Sequence, residues 1–165
     1  MADKKRKHEP IRQSVHVDCP VEDAFRLFTE GFAQWWPLAS HSIAGKETES
    51  CAIEPWTGGR VFERTRSGEE HEWGTVVAWD PPARLEFTWH SGPPGDRRQT
   101  VDVEFRPEAD GTRVTLSHRG WQSAGVPVCH AGLATEWPAI LRQRFAEFAA
   151  GQMLVVLIGG IDLSI

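Results

Sequence analysis

The chain has 165 residues and a formal net charge of −5, with 18 Lys and Arg against 23 Asp and Glu. This length suits one domain, and a chain with a pI near 5.8 lacks the basic surface that binds nucleic acid. Three cysteines without C-x-x-C spacing exclude a disulfide scaffold and a zinc knuckle, and they are typical of a reducing, cytoplasmic compartment.

Both ends of the chain differ in composition from its centre. Residues 1–10 are basic and polar with no apolar run after them, which predicts a flexible tail rather than a signal peptide. Residues 151–165 form an apolar extension that is too short for a membrane span, which needs about 20 residues. Three roles stay open for it: packing on its own domain, pairing two copies into a homodimer through residues 153–165, or a disordered remnant of expression.

The first elements are one strand and two helices. Alternating apolar residues predict a strand over 11–17. Asp18 is a candidate N-cap for a helix in which Val21, Ala24, Phe25 and Phe28 recur at helical spacing up to Gly31. A short helix is predicted over 32–36, and residues 38–50 are predicted to be a loop.

Six further strands and one long helix follow. The period-two pattern places the strands at about 50–54, 60–66, 72–80, 84–90, 99–106 and 112–118. Asp110–Gly111 between two alternating runs is a hairpin signal. An apolar stripe marks the last helix, which starts at Pro138 or as early as Val128: Trp137, Ile140, Leu141, Phe145 and Phe148.

This order of elements predicts an α+β fold. One helix covers a seven-stranded antiparallel sheet only if the sheet curls around it. The inner face of the sheet carries unusually large side chains: Trp73, Trp79, Leu85, Phe87, Trp89, Phe105 and Leu116. These rings either fill the space under the helix or line a pocket of roughly 300–1,000 Å³.

Several motifs resemble one protein family. They include Phe32-Ala-Gln-Trp-Trp-Pro37, Glu54-Pro-Trp-Thr-Gly-Gly-Arg-Val61, Asp80-Pro-Pro-Ala-Arg-Leu-Glu-Phe-Thr-Trp89 and His118-Arg-Gly-Trp121. In order and spacing they resemble the Hsp-90 ATPase activator homologue-like proteins, a branch of the START/SRPBCC (Bet v-like) superfamily. The resemblance covers residues 11–150 as a single domain and implies the helix-grip fold, in which a curved sheet of about seven strands surrounds a long C-terminal helix.

The resemblance and the aromatic inner face together favour binding of a small, lipid-like apolar ligand between sheet and helix. The predicted pocket residues come from the inner sheet face, the turns and the last helix: Trp36, Trp56, Phe62, Trp73, Trp89, His118, Trp121, Trp137 and Leu141. Two alternatives are a chaperone-ATPase-activating interaction module, as the family name implies, and a polyketide-cyclase-like enzyme.

No catalytic or cofactor motif stands out in the sequence. The histidines lack metal-ligand spacing, so neither a metal nor another cofactor is predicted. His118 shares its strand face with Val114 and Leu116 and is predicted to point inward, where Glu63 is the one candidate partner for acid–base chemistry. Four charged residues are candidate polar anchors or solvated outer-face charges: Glu54, Glu63, Arg64 and Arg84.

Overall fold

The computed structural model describes residues 11–89, 99–120 and 136–152. The predicted α+β helix-grip architecture is confirmed, with seven antiparallel strands and one long helix. The strands are β1 (Ile11–Val17), β2 (Thr48–Ile53), β3 (Arg60–Thr65), β4 (Glu70–Asp80), β5 (Arg84–Thr88), β6 (Thr100–Glu108) and β7 (Gly111–Arg119). The helices are α1 (Val21–Thr29), α2 (Phe32–Trp35) and α3, described over 136–152.

The strands lie in the order β1-β7-β6-β5-β4-β3-β2, so β1 and β2 form the two edges of the sheet. From β2 to β7 each strand pairs with its neighbour in the chain, which is the predicted meander. The hairpin at Asp110–Gly111 joins β6 to β7, whose register runs from Thr100 opposite Arg119 to Glu108 opposite Gly111. The apolar inner face of this sheet packs on α1, α2 and α3 to form one core.

The start of α1 differs from the prediction. Pro20 occupies the cap position, and no side chain there caps the helix. Asp18 instead accepts a hydrogen bond from His16 Nε2, at 3.0 Å, because it directly follows the strand that carries His16. Pro20 still suits this position, since its fixed φ is compatible with a helical first turn.

The segment 38–50, predicted to be a loop, also contains regular structure. A 3-10 turn covers Gly45–Glu47, and β2 already begins at Thr48. Thr48 pairs with Thr65 of β3, and its hydroxyl donates to the Glu63 carboxylate at 3.0 Å. The strand therefore starts earlier because two polar contacts extend its pairing with β3.

A bulge in β4 changes which side chains face inward. The register with β3 shifts between Val61 and Phe62, which are opposite Gly74 and Glu72, so Trp73 is the extra residue. Gly74 is required there, since a Cβ atom would lie 1.7 Å from the carbonyl oxygen of Thr88. Further along β4, Trp79 is only partly buried and packs on Phe25, with ring centroids 5.1 Å apart.

The apolar stripe of α3 is confirmed within 136–152. Trp137, Ile140, Leu141 and Phe145 are buried, and Phe148 is partly buried against the core. The stretch Ile140–Ala146 is a π-helix, whose wider turns keep Leu141 and Phe145, four positions apart, on the same buried face. Its outer side is polar, and Arg144 Nε donates to the carbonyl oxygen of Trp35 at 3.2 Å.

Four sequence predictions lie wholly or partly outside the described residues: the tail 1–10, the placement of Trp121, a start of the last helix as early as Val128, and residues 153–165 of the apolar extension. Among the helices of the described ranges, none combines the length and the apolar character needed to cross a bilayer.

Candidate functional site

Four tryptophan rings and one imidazole meet between the sheet and α3. We call Trp36, Trp73, Trp89, Trp137 and His118 the tryptophan cluster. The Trp36 ring centroid lies 5.7, 5.6 and 5.8 Å from those of the other three tryptophans. All five side chains are buried and the tryptophan rings contact one another, so these rings fill the space between them.

Each ring of the tryptophan cluster is placed by a separate element. Trp36 follows α2, Trp73 lies in the bulge of β4, and Trp89 follows β5. Trp137 lies in the first described turn of α3, and Leu141, one turn further on, is fully buried beneath it. The tryptophan cluster therefore lies at the N-terminal end of the described part of α3.

His118 is confirmed as an inward-facing, fully buried residue. Its Nδ1 accepts a hydrogen bond from the Trp137 indole N–H at 3.1 Å, and its Nε2 lies 2.9 Å from Gln99 Oε1. An indole N–H only donates, so Nδ1 must carry a lone pair and Nε2 the proton. These two contacts select the neutral Nε2–H tautomer of the imidazole.

Glu63 is a fully buried carboxylate held by four donors. Oε1 accepts from the Ile43 N–H and the Trp73 indole, both at 2.6 Å. Oε2 accepts from the Ala44 N–H at 2.8 Å and from the Thr48 hydroxyl at 3.0 Å. Glu63 thus ties residues 43–48 and Trp73 of the tryptophan cluster to β3.

The predicted acid–base partners Glu63 and His118 lie on different sides of the tryptophan cluster. Trp73 contacts Glu63 through its indole N–H, whereas Trp89 contacts His118, with ring centroids 6.4 Å apart. Trp73 and Trp89 contact each other between them. Both groups face inward, and two indole rings separate them.

Two predicted pocket residues are not brought to the cluster. Trp56 lies in the turn between β2 and β3 and is 53% exposed. Phe62 faces the outer side of the sheet, where the Arg60 guanidinium lies 4.1 Å from its ring centroid. The alternation of β3 explains this placement, because Val61 and Glu63 point inward on either side of Phe62. Trp121 is not among the described residues.

Three of the four candidate anchors form ion pairs on the outer face of the sheet. Glu54 pairs with Arg60 at 3.2 Å, and the hydrogen bond between them lowers the pKa of the Glu54 carboxyl. Arg64 pairs with Glu70 at 2.6 Å. Arg84 pairs with Asp102 at 3.0 Å, and that hydrogen bond raises the pKa of the guanidinium. Only Glu63 of this set points inward.

A histidine–carboxylate pair beside the cluster was not predicted. His41 Nε2 lies 2.7 Å from Glu136 Oε2, and His41 Nδ1 lies 2.7 Å from the Ser40 hydroxyl. The Trp36 indole donates to the carbonyl oxygen of His41 at 2.8 Å, which holds this segment against the cluster. His41 and Glu136 are 95 positions apart, so no sequence spacing signals the pair.

A separate cavity of about 330 Å³ lies between α1 and the ends of β2 and β4. Its lining comes from α1 and from the ends of β2 and β4: Phe25, Arg26, Thr29, Glu30, Ile53, Pro55, Trp79 and Pro81. It shares no lining residue with the tryptophan cluster.

Cysteine and metal chemistry find no support in the described ranges. Cys19 and Cys51 are buried free thiols, and burial raises the pKa of Cys19 to about 11 and that of Cys51 further still. A buried thiol with a raised pKa is a poor nucleophile. Within the part of the chain that the structure describes, no three His, Cys, Asp or Glu side chains come together as a metal site requires.

Comparison with known proteins gives one family and several solved relatives. Residues 18–148 match the family model described as "Activator of Hsp90 ATPase homolog 1-like protein". No curated protein sequence matches the chain significantly.

Among solved structures, the chain is 37% identical to the anthrahydroquino-gamma-pyrone synthase Txn09, solved in complex with SUM. The match covers 85% of this chain and 96% of the synthase, with a TM-score of 0.61. A protein of Nitrosomonas europaea is 15% identical, with 89% and 97% of the two chains covered and a TM-score of 0.63. An AHSA1-like protein of Aeromonas hydrophila is 22% identical, with 87% and 94% covered and a TM-score of 0.58. The last two similarities show the fold alone.

Proposed function

Since the chain belongs to the family of Activator of Hsp90 ATPase homolog 1-like proteins, we propose that it binds a polycyclic aromatic polyketide against the tryptophan cluster and closes a pyrone ring on it. The observation that carries the proposal is the 37% identity to a γ-pyrone synthase over 96% of that protein. The tryptophan cluster supports it independently, because flat indole faces favour stacking with fused aromatic rings.

Closing a γ-pyrone ring from a phenol and a 1,3-diketone is a condensation that leaves the overall oxidation level unchanged. A γ-pyrone ring forms when a phenolic hydroxyl adds to the distal carbonyl of a 1,3-diketone side chain and one water is then lost. A protein assists such a reaction by holding the two groups within reach, excluding water and moving protons. The rings of Trp36, Trp89 and Trp137 are 1–8% exposed and pack against one another, so the substrate must separate them to use them as an apolar wall for the first two tasks.

The direct test is to incubate the chain, without oxygen, with an anthrahydroquinone that carries a 1,3-diketone side chain. Chromatography with mass detection measures the product that has lost one water, and quenching of tryptophan fluorescence measures binding. We expect turnover by the wild type and about tenfold weaker binding by Trp89→Leu, because a ring–ring contact is worth up to about 1.5 kcal/mol. Trp56→Leu, which removes an exposed indole outside the cluster, is the control and binds normally.

The outcomes separate the two functions that the cluster supports. Binding without product assigns the chain to apolar ligand binding alone, the second candidate, and overturns the enzymatic proposal. Absence of both binding and turnover overturns both. Trp89→Phe accompanies Trp89→Leu, so that a folding defect is recognised from the melting temperatures of the two variants.

A further inference from the structure

We infer that His41, held in place by Glu136, is the catalytic acid–base residue of the ring closure. The inference rests on the proposed function and adds the residue that moves the protons. Among the described histidines, His41 is the one that has a carboxylate at one ring nitrogen, a hydroxyl at the other and a position beside the tryptophan cluster.

The hydrogen bonds of His41 determine which of its ring nitrogens carries the proton. An ionised Glu136 carboxylate only accepts, so the Nε2 atom 2.7 Å away carries a proton. In the neutral imidazole, Nδ1 then carries the lone pair and accepts from the Ser40 hydroxyl at 2.7 Å. A basic nitrogen is thus held at hydrogen-bond distance from a hydroxyl, with a carboxylate behind the ring to stabilise the imidazolium.

The position of the pair links it to the tryptophan cluster from two elements. The His41 ring centroid lies 6.2 Å from that of Trp36. Glu136 immediately precedes Trp137 in α3, and the Trp36 and Trp137 rings lie 5.8 Å apart. His41 and Glu136 therefore lie next to Trp36 and Trp137, the two rings of the cluster that the proposed ligand would contact first from this side.

Accessibility distinguishes His41 from His118. His118 is fully buried, with Trp137 and Gln99 at its two ring nitrogens. The His41 side chain is 19% exposed, and the group at its Nδ1 is the hydroxyl of the exposed residue Ser40. A substrate hydroxyl reaches Nδ1 by taking the place of the Ser40 hydroxyl, whose other contact, with the Pro37 carbonyl oxygen, is long at 3.5 Å.

The proton transfers balance with this single residue. Nδ1 takes the phenolic proton as the phenol oxygen bonds to the carbonyl carbon, and returns it to the carbonyl oxygen, which becomes a hydroxyl. Nδ1 next removes a proton from the carbon between the two carbonyl carbons. The bond from carbon to the new hydroxyl then breaks, and the hydroxide leaves with that proton as water. Glu136 acts through His41 and is a positioning residue.

The test measures kcat and KM for wild type, His41→Gln, Glu136→Gln and Glu136→Asp on the same anthrahydroquinone diketone. We expect His41→Gln to lower kcat by about 10²–10⁴-fold with little change in KM. Glu136→Gln also lowers kcat, and Glu136→Asp restores part of it. In His41→Ala, added imidazole restores turnover, which a purely structural role for His41 does not predict. His71→Gln, at a half-exposed site in β4, is the control.

Failure of this inference is distinguishable from failure of the proposed function. If the wild type forms the pyrone and His41→Gln keeps its kcat, the inference is overturned and the proposed function stands. A His41→Gln variant that loses kcat together with its melting temperature, without rescue of His41→Ala by imidazole, also overturns it. If the wild type binds the substrate and forms no pyrone, the proposed reaction fails and takes the role of His41 with it.

Discussion

Glu63 shows how a single residue can organise one side of the candidate site. A buried carboxylate is costly unless its oxygens are hydrogen-bonded, and here four donors surround it, two from the backbone and two from side chains. The same contacts fix the loop at Ile43 and Ala44 and the orientation of the Trp73 indole. The carboxylate therefore serves as a shared acceptor that joins a loop, a strand and the tryptophan cluster.

Replacing Glu63 by Gln is expected to destabilise the fold. The amide has one acceptor oxygen and an NH₂ group, so that donors which now face the second carboxylate oxygen lose their acceptor. Leaving one or two buried donors unsatisfied costs about 2–4 kcal/mol in the free energy of unfolding. Urea unfolding followed by far-UV circular dichroism measures this difference in the free energy of unfolding between the wild type and Glu63→Gln.

Glu69→Gln, whose side chain is 73% exposed, is the matched control and should unfold within about 0.5 kcal/mol of the wild type. Equal stability of Glu63→Gln and Glu69→Gln would contradict the role assigned to Glu63.

At the scale of elements, the sequence patterns predicted the seven strands and the helices α1, α2 and α3, because each buries one face. They failed where local geometry departs from strict alternation. The bulge at Trp73 shifts the register of β4; Gly74 within the strand signals such a bulge or a close backbone approach, whereas strict alternation does not. In β3, a Phe would be expected inside and a Glu outside, yet Glu63 is buried and Phe62 lies under Arg60. The donors that make this arrangement favourable come from residues 43–48 and 73, which a single strand's pattern does not contain.

β1 is joined to the β6–β7 hairpin by a contact that depends on pH. His16 Nδ1 lies 2.7 Å from Glu108 at the end of β6, and this hydrogen bond is the largest cause of the raised pKa of His16. Because the pKa of His16 is raised in the folded state, its contact with Glu108 contributes fully to the free energy of unfolding below the pKa of His16 in the unfolded chain. This contribution is lost as pH rises through the pKa of the folded state. His16→Gln is therefore expected to lower the free energy of unfolding more at about pH 5.5 than at about pH 8.5.

Urea unfolding of wild type and His16→Gln at the two pH values checks this expectation. His71→Gln is the matched control, since both histidine side chains are 34% exposed and His71 lies 3.9 Å from a single carboxylate, that of Glu69. A pH-independent difference between wild type and His16→Gln would show that the contact carries no charge-dependent stability.

At the scale of the whole molecule, the sequence predicted the fold and the inward position of some members of the tryptophan cluster. The inward position of His118 followed from strand parity with Val114 and Leu116, and Trp137 from the stripe of α3. The pair of His41 and Glu136 could not be predicted, because its members come from a loop and a helix 95 positions apart. Tertiary packing alone brings them together, so single-sequence reasoning has no spacing to detect.

Two buried thiols report whether the sheet opens as one unit. Cys19 follows edge strand β1, and Cys51 lies in the opposite edge strand β2. In a Cys129→Ser background, we expect a thiol reagent to modify both at the same slow rate in the native state. Both rates should rise in parallel with added urea, because a cooperative domain exposes them together. Mass spectrometry of the labelled peptides measures the two rates, and faster labelling of Cys51 would show independent opening of β2.

The pairing of β1 with β7 has a consequence for how the chain acquires its structure. Ile11 lies opposite His118, so the first strand meets its partner β7 after the other described strands have been made. During synthesis, strands β2 to β6 can pair with their neighbours as they emerge, whereas β1 waits with its backbone groups exposed. Because contacts between distant parts of a chain slow folding, we expect the pairing of β1 with β7 to be a late step of folding. Until then, the nascent chain presents an unpaired strand to the cell's folding machinery.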